Sequence, residues 1–209
     1  MCENYLADFD EADLTVKLTD ADIEREQDSP LNINKQYAEA LAICRKIVAF
    51  GEEKGTFLLH AAVFEVEGRG IALIADSGTG KSTHMLLWKK LLGDKLTIIN
   101  GDKPIVRIFD SVPYAYGTPW CGKEGWQSNT RVPLKAICFL ERAEQNSIER
   151  IAPDEAVMRI FHQILTPQDM ETVDALFPLL DRTLCEIPCF VLGCNISEDA
   201  AQVAYDGMK

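Results

Sequence analysis

Ile71-Ala72-Leu73-Ile74-Ala75-Asp76-Ser77-Gly78-Thr79-Gly80-Lys81-Ser82-Thr83-His84-Met85-Leu86-Leu87-Trp88 is the stretch that decides how this chain folds. Its first four residues form an apolar run that reads as a buried strand. Lys81 to Leu92 reads as an amphipathic helix that Gly93 closes. Between them lies a relaxed form of the pattern GxxxxGK[ST], with Ala75 in place of the first glycine. Backbone N–H groups of such a turn, aimed inward at a helix N-terminus, make a positive cradle for phosphate oxygens. Gly78 and Gly80 supply the turn, and Ser77, Thr79 and Thr83 complete the expected phosphate contacts. Lys81 would reach the β- and γ-phosphates, and the Ser82 hydroxyl would ligate a metal. The expected cofactors are ATP, or another nucleoside triphosphate, and Mg²⁺.

A phosphate loop neither hydrolyses nor transfers phosphate unaided; a carboxylate on a neighbouring strand must help hold the metal. Asp102 fits that role, because it follows the short apolar strand Leu96–Asn100 and Gly101 allows close backbone approach. His60, in the run Leu58-Leu59-His60-Ala61-Ala62, is a candidate base or γ-phosphate contact. His84 and His162 fall on helices and read as packing or surface residues.

Working outward, the pattern predicts an α/β fold with a mixed sheet flanked by helices. Strands are expected at 56–66 and 71–75, joined by a Gly68-Arg69-Gly70 turn, and at 96–100, 105–109, 136–140, 147–151 and 190–194. A helix is expected over 34–50. The C-terminal third should be mostly helical: one helix opens at Pro153 and runs to about Leu165, a second opens at Pro167 and runs to about Cys185, and the last is capped by Ser197. Residues 110–133 read as one long connection carrying Trp120 and Trp126, of a length that often marks a lid. Within it Lys123 is the candidate substrate or transition-state contact, and Arg131 a second phosphate contact.

The whole chain sets the remaining bounds. Residues 1–33 read as an acidic N-terminal appendage, with ten Asp/Glu against two Lys/Arg in the first thirty residues, and 34–209 as the nucleotide-binding domain. A formal net charge of −12 argues against a nucleic-acid partner. No apolar run suits a membrane span and no signal-peptide pattern opens the chain, so a cytoplasmic protein without a membrane partner is expected. The seven cysteines are expected to be reduced. Cys185, Cys189 and Cys194 have a spacing that could hold a metal, yet Cys189 sits in a strand-like run where Cys serves as a small hydrophobe.

The His-bearing strand, the loop Ala75-Asp76-Ser77-Gly78-Thr79-Gly80-Lys81-Ser82-Thr83 and the strand ending Asn100-Gly101-Asp102 resemble the HPr kinase/phosphorylase and phosphoenolpyruvate carboxykinase group over residues 56–109. His60, Ser77 to Ser82 and Asp102 match the HPr kinase pattern. Thr83 stands where those kinases carry Glu, as in the carboxykinases. The group has a doubled aspartate where Gly101-Asp102-Lys103 retains one acid, which could match either member of the pair; this leaves the general base open between Asp102, His60 and Glu124. The resemblance implies the fold of the HPr kinase C-terminal domain or of the carboxykinases. Its short members are associated with peptide modification, which implies a serine kinase acting on a Ser hydroxyl of a small protein or peptide. It also admits a homo-oligomer. Two other readings stand beside this one. One is a non-catalytic nucleotide-binding sensor or scaffold, which a missing second acid would permit. The other is a carboxykinase-like enzyme on a small carboxylic acid, for which only Arg69, Arg107, Lys123 and Arg131 are at hand.

Overall fold

Strand β2 (Ala61–Val66) and strand β3 (Arg69–Ile74) form an antiparallel hairpin with Ala61 opposite Ile74. Glu67 and Gly68, at φ 53° and 75°, make its turn, so the turn lies one residue earlier than expected and Arg69 and Gly70 already belong to β3. Two positive φ values match the right-handed twist of paired strands. Side chains alternate across the hairpin: Val63, Ala72 and Ile74 enter one core, and Phe64, Ile71 and Leu73 enter the other. A strand buried on both faces must be apolar on both, which is why this stretch reads as a continuous hydrophobic run.

The computed structural model describes residues 2–8, 12–28, 33–52, 54–165 and 170–209. Before the hairpin come α1 (Asp20–Gln27), α2 (Lys35–Glu52) and β1 (Thr56–Leu58). After it come α3 (Lys81–Leu92), β4 (Leu96–Asn100), β5 (Ile105–Phe109), β6 (Val112–Tyr116), β7 (Arg131–Arg142) and β8 (Ser147–Ile151). The chain then forms α4 (Pro153–Phe161), α5 (Met170–Glu186), β9 (Cys189–Cys194) and α6 (Asp199–Gly207). The described residues thus make an α/β fold of six helices around a curled mixed sheet, in the order β1-β5-β6-β7-β3-β2-β4, with β9 on β7 and β8 on β9. Among the described residues only β3–β7 and β7–β9 pair in parallel. The twelve-residue β7 joins the parts, because its first residues pair with β6 and its later ones with β9 while β3 runs along its other edge.

Helices cover both faces. Ala156, Ile160, Leu180 and Leu184 of α4 and α5 close one core, and Met85 and Trp88 of α3 with Ala201 and Ala204 of α6 close the other. Phe64 and Trp88 meet at 4.7 Å between ring centroids. Helix α1 is capped at Thr19, whose hydroxyl and backbone exchange hydrogen bonds with Asp22. It buries Ile23, and Glu26 pairs with Arg45 of α2 at 2.6 Å.

Four expectations need correction. Residues 56–66 are two strands, broken at His60, and the halves pair with different partners: β1 with β5, β2 with β3 and β4. The stretch 110–133 is mostly sheet, with β6 and the start of β7 in it, so the connection shrinks to residues 117–130. Pro113 and Pro133 lack the N–H of a ladder residue and disguise both strands in the sequence. Helix α4 ends at Phe161, short of Leu165. Helix α6 has no side-chain cap; the Ser197 carbonyl instead accepts from the Ala200 N–H at 3.1 Å. The expected opening of α5 at Pro167 lies outside the described residues.

Candidate functional site

The break at His60 has a clear cause. The His60 N–H donates to the Gln163 carbonyl at 2.6 Å, the Ala61 N–H to the Asp102 carbonyl at 3.0 Å, and Leu165 N–H to Leu58 at 3.1 Å. The segment just after α4 is therefore laid across the junction of β1 and β2. It turns the His60 ring toward the end of β4.

Asp102 is held from behind by Asn100, which has no exposed surface. The Asn100 Oδ1 accepts from the N–H groups of Asp102 and Lys103 at 2.8 and 2.7 Å, and its Nδ2 donates to Thr118. Such an Asx turn fixes the backbone that carries the carboxylate. Gly101 and Gly117 permit the packing around it. A Cβ at Gly117 would fall 1.8 Å from the Ser128 carbonyl oxygen, and one at Gly101 3.0 Å from that of Cys121. The 117–130 connection is thus pressed against the end of β4.

A line of side chains results. Gln163 Nε2 donates to Asp76 Oδ1 at 2.8 Å, and Gln163 Oε1 lies 3.1 Å from His60 Nδ1. His60 Nε2 lies 3.2 Å from Asp102 Oδ1, and the Lys103 ammonium closes on Asp102 Oδ2. Both carboxylates can only accept, and with the Gln163 amide nitrogen turned to Asp76 it is the Gln163 carbonyl oxygen that faces His60. Burial acts to raise the Asp102 carboxyl pKa, but the His60 hydrogen bond and the Lys103 ammonium outweigh it and hold it at about 2. Burial depresses Lys81, opposed by the charges of Asp102 and Asp76. Lys103 is raised despite its burial, chiefly by Asp102.

Lys81, the first residue of α3, is buried and donates to the Ala75 carbonyl at 2.5 Å. Gly78 and Gly80 have φ of 81° and 126°, and a Cβ at either would meet nothing within 4 Å. Their need for glycine is therefore conformational, and the space before the loop is open. That space is a cleft of about 920 Å³ bordered by Ser77, Lys81, Ser82, His60 and Asp102, with Lys123 on its rim.

The donor types fit a nucleotide's phosphates and its magnesium ion. The loop offers an ammonium, backbone N–H groups and a hydroxyl, and Asp102 offers a carboxylate in the same cleft. Among the described residues no three His, Cys, Asp or Glu side chains could hold a metal. Magnesium does not require that, since it usually takes one or two carboxylates plus phosphate oxygens. Lys103 already occupies Asp102 Oδ2, so a metal binding that oxygen must displace it.

The structure thus gathers His60, Ser77, Gly78, Gly80, Lys81, Ser82, Thr83, Asp102 and Lys123 around one cleft. Thr79 faces the opposite rim of the loop. Arg131 is not in this cleft: its guanidinium stacks on Tyr114 and Tyr116, 5.1 and 5.8 Å from their centroids. His162 is exposed, and His84 is buried with its pKa pushed down to about 4 by that burial. Cys189 is buried in β9, where burial pushes its thiol up to about 12, whereas Cys185 is exposed. Gln163, Asn100 and Lys103 are the site residues that sequence reasoning missed. Lys103 and Asn100 left only a weak signal, as the neighbours of Asp102 in the run Asn100-Gly101-Asp102-Lys103.

The family model described as "SynChlorMet cassette protein ScmC" matches residues 24–198, and the chain belongs to that family. Among curated proteins none matches it. Of solved structures, the Hpr(Ser) kinase/phosphatase from Coxiella burnetii aligns at a TM-score of 0.40 and 8% identity, covering 72% of this chain and 92% of that one. A likeness that distant assigns no function. Among the described residues no helix is long and apolar enough to cross a membrane.

Proposed function

We propose that this chain is an ATP- and Mg²⁺-dependent phosphotransferase that moves the γ-phosphate to a hydroxyl, with a Ser of a small protein or peptide as acceptor. The observation that carries the proposal is the meeting of Lys81, Ser82, Asp102 and His60 around one cleft, although three separate stretches of sequence supply them. The sequence resemblance of residues 56–109 to the HPr kinase group is in keeping with that reading.

Phosphoryl transfer passes through a loose transition state, so positioning and charge do most of the work. The loop N–H groups and Lys81 take the phosphates. Magnesium, when bound with the nucleotide through Ser82 and Asp102, neutralises phosphate charge. His60, hydrogen-bonded on both sides, holds the Asp102 carboxylate in place. The acceptor oxygen forms a bond to the γ-phosphorus as the bond to the β–γ bridging oxygen breaks. The electron pair of the broken bond leaves with ADP, and the acceptor proton goes to a phosphate oxygen of the products, since His60 and Lys103 already engage both oxygens of Asp102. A carboxylate held at about pKa 2 is a weak base. A loose transition state asks little of a base.

The Lys103–Asp102 pair favours a second reading, a nucleotide-binding sensor or scaffold without turnover. Incubation with γ-labelled Mg-ATP and Ser-containing peptides separates the two. Label transfer that Asp102→Asn abolishes supports the phosphotransferase. Tight Mg-ATP binding with no transfer to any hydroxyl acceptor supports the binding module instead.

A further inference from the structure

Resting on that reading, we propose that Lys103 is a cation gate on Asp102. Its ammonium and the divalent metal compete for Asp102 Oδ2, and the ammonium moves aside to Tyr37 when the metal arrives with the nucleotide's phosphates.

The backbone here is pinned, so only a side chain is free to give way. The Asp102 and Lys103 N–H groups both donate to Asn100 Oδ1, and the Lys103 N–H also donates to the Trp120 carbonyl at 3.1 Å. His60 Nε2 stands 3.2 Å from Asp102 Oδ1. Oδ2 is held by a compact ammonium on a flexible four-carbon stem. The side chains of Asp102 and Lys103 are only 21% and 15% exposed, so their attraction is little screened by water and salt. A lone cation from solution must break that pair to reach the carboxylate.

A second seat for the ammonium stands beside the first. Tyr37, in the first turn of α2, borders the same cleft, and Lys103 Nζ lies 5.8 Å from its ring centroid, within the range of a cation–π contact. The Asn34 side chain fixes that turn by accepting from the Tyr37 N–H at 2.9 Å. Rotation within the Lys103 stem therefore trades the carboxylate for the aromatic ring while the main chain stays in place. What the metal brings decides whether the trade occurs. A free ion would gain one carboxylate and the Ser82 hydroxyl in return for separating a half-buried charge pair. An ion bound with a nucleotide adds phosphate oxygens to its ligands, the set magnesium usually takes. The gate thus admits metal with nucleotide and turns away metal alone.

Titration with Mn²⁺ tests the gate, with free ion counted by electron paramagnetic resonance and Mn-ADP binding followed by calorimetry. Without nucleotide, Lys103→Met should bind Mn²⁺ at least about tenfold tighter than the wild type, the scale on which a neighbour of a ligand tunes metal affinity. Adding Asp102→Asn to that variant should cancel the gain. Lys103→Arg keeps a cation on the carboxylate and should bind free Mn²⁺ no tighter than the wild type; a gain there would make bulk, not charge, the barrier and overturn the gate. Tyr37→Leu leaves the Lys103–Asp102 pair intact and keeps the test open should Lys103→Met fail to fold. It should weaken Mn-ADP binding a few-fold, the worth of one cation–π contact, and leave free Mn²⁺ binding as it was. Unchanged Mn-ADP affinity in Tyr37→Leu overturns the second seat. A folded Lys103→Met with wild-type Mn²⁺ affinity overturns the gate, while Mn-ADP binding by the wild type still upholds the nucleotide site. Failure of the wild type to bind Mn-ADP overturns both.

Discussion

The two rims of the glycine loop differ in how their polar groups are treated. On the inner rim Asp76, Gln163, His60, Asp102 and Lys103 form a line in which each member has a partner. On the outer rim the buried His84 ring has none, and Leu87, Ala143 and Ile196 stand beside Arg142 and Asn195. Charges already paired are pre-oriented and cost little reorganisation when a reaction begins, which suits the reacting end of a nucleotide.

The contrast can be broken most forcefully at Lys81. Lys81→Ala should weaken Mg-ATP binding by at least about a hundredfold while the fold persists, since it removes the ammonium from the cleft. Unchanged affinity by titration would show that the inner rim is not a phosphate site. Asp102→Asn comes next: turnover should fall by about 10²-fold or more, with a smaller change in ATP affinity. Equal losses in both would make Asp102 a binding residue only.

The same variant predicts a pH effect with a definite sign. The folded-state pKa of Asp102 lies below its ordinary 3.8, at about 2. The unfolded chain therefore takes up the proton first, and the stability that Asp102 contributes above pH 4 is lost as the pH falls toward 2. Thermal melts of the wild type should drop more steeply over that window than those of Asp102→Asn; parallel curves would contradict the depressed pKa.

Gln163→Ala should lower turnover by about tenfold, because His60 loses the side-chain partner on Nδ1 and Asp76 loses its donor. Gln163→Glu puts a carboxylate beside Asp76 and should not restore the rate, whereas a purely space-filling role would let it. The smallest effect belongs to Lys123→Ala. Its side chain is exposed on the rim of the cleft, so peptide turnover should fall only a few-fold, chiefly through KM. A loss as large as that of Asp102→Asn would move Lys123 into contact with the reacting phosphate.

How much of this could be read from residues alone follows from distance along the chain. The hairpin of β2 and β3, the glycine loop and α3 are contiguous, and their periodicity and turn chemistry act between near neighbours. Lys81, Ser82 and Asp102 were legible because a strand, a turn and a helix in sequence leave a fixed spacing. The strands of 110–133 were hidden because prolines mask a ladder and because β7 is defined by three partners elsewhere in the chain.

By itself, then, the sequence determined an α/β chain with a glycine loop between strand and helix and a carboxylate at the end of the strand after it. Only the tertiary structure decided that His60 breaks a strand, that Gln163 joins it to Asp76, that Lys103 sits on Asp102, and that Arg131 stacks on tyrosines instead of facing the loop. Gln163 meets His60 across 103 positions of chain. No local propensity encodes such a contact, because it exists only once helix α4 has packed its apolar face on the sheet and set the residues after it across the junction of β1 and β2.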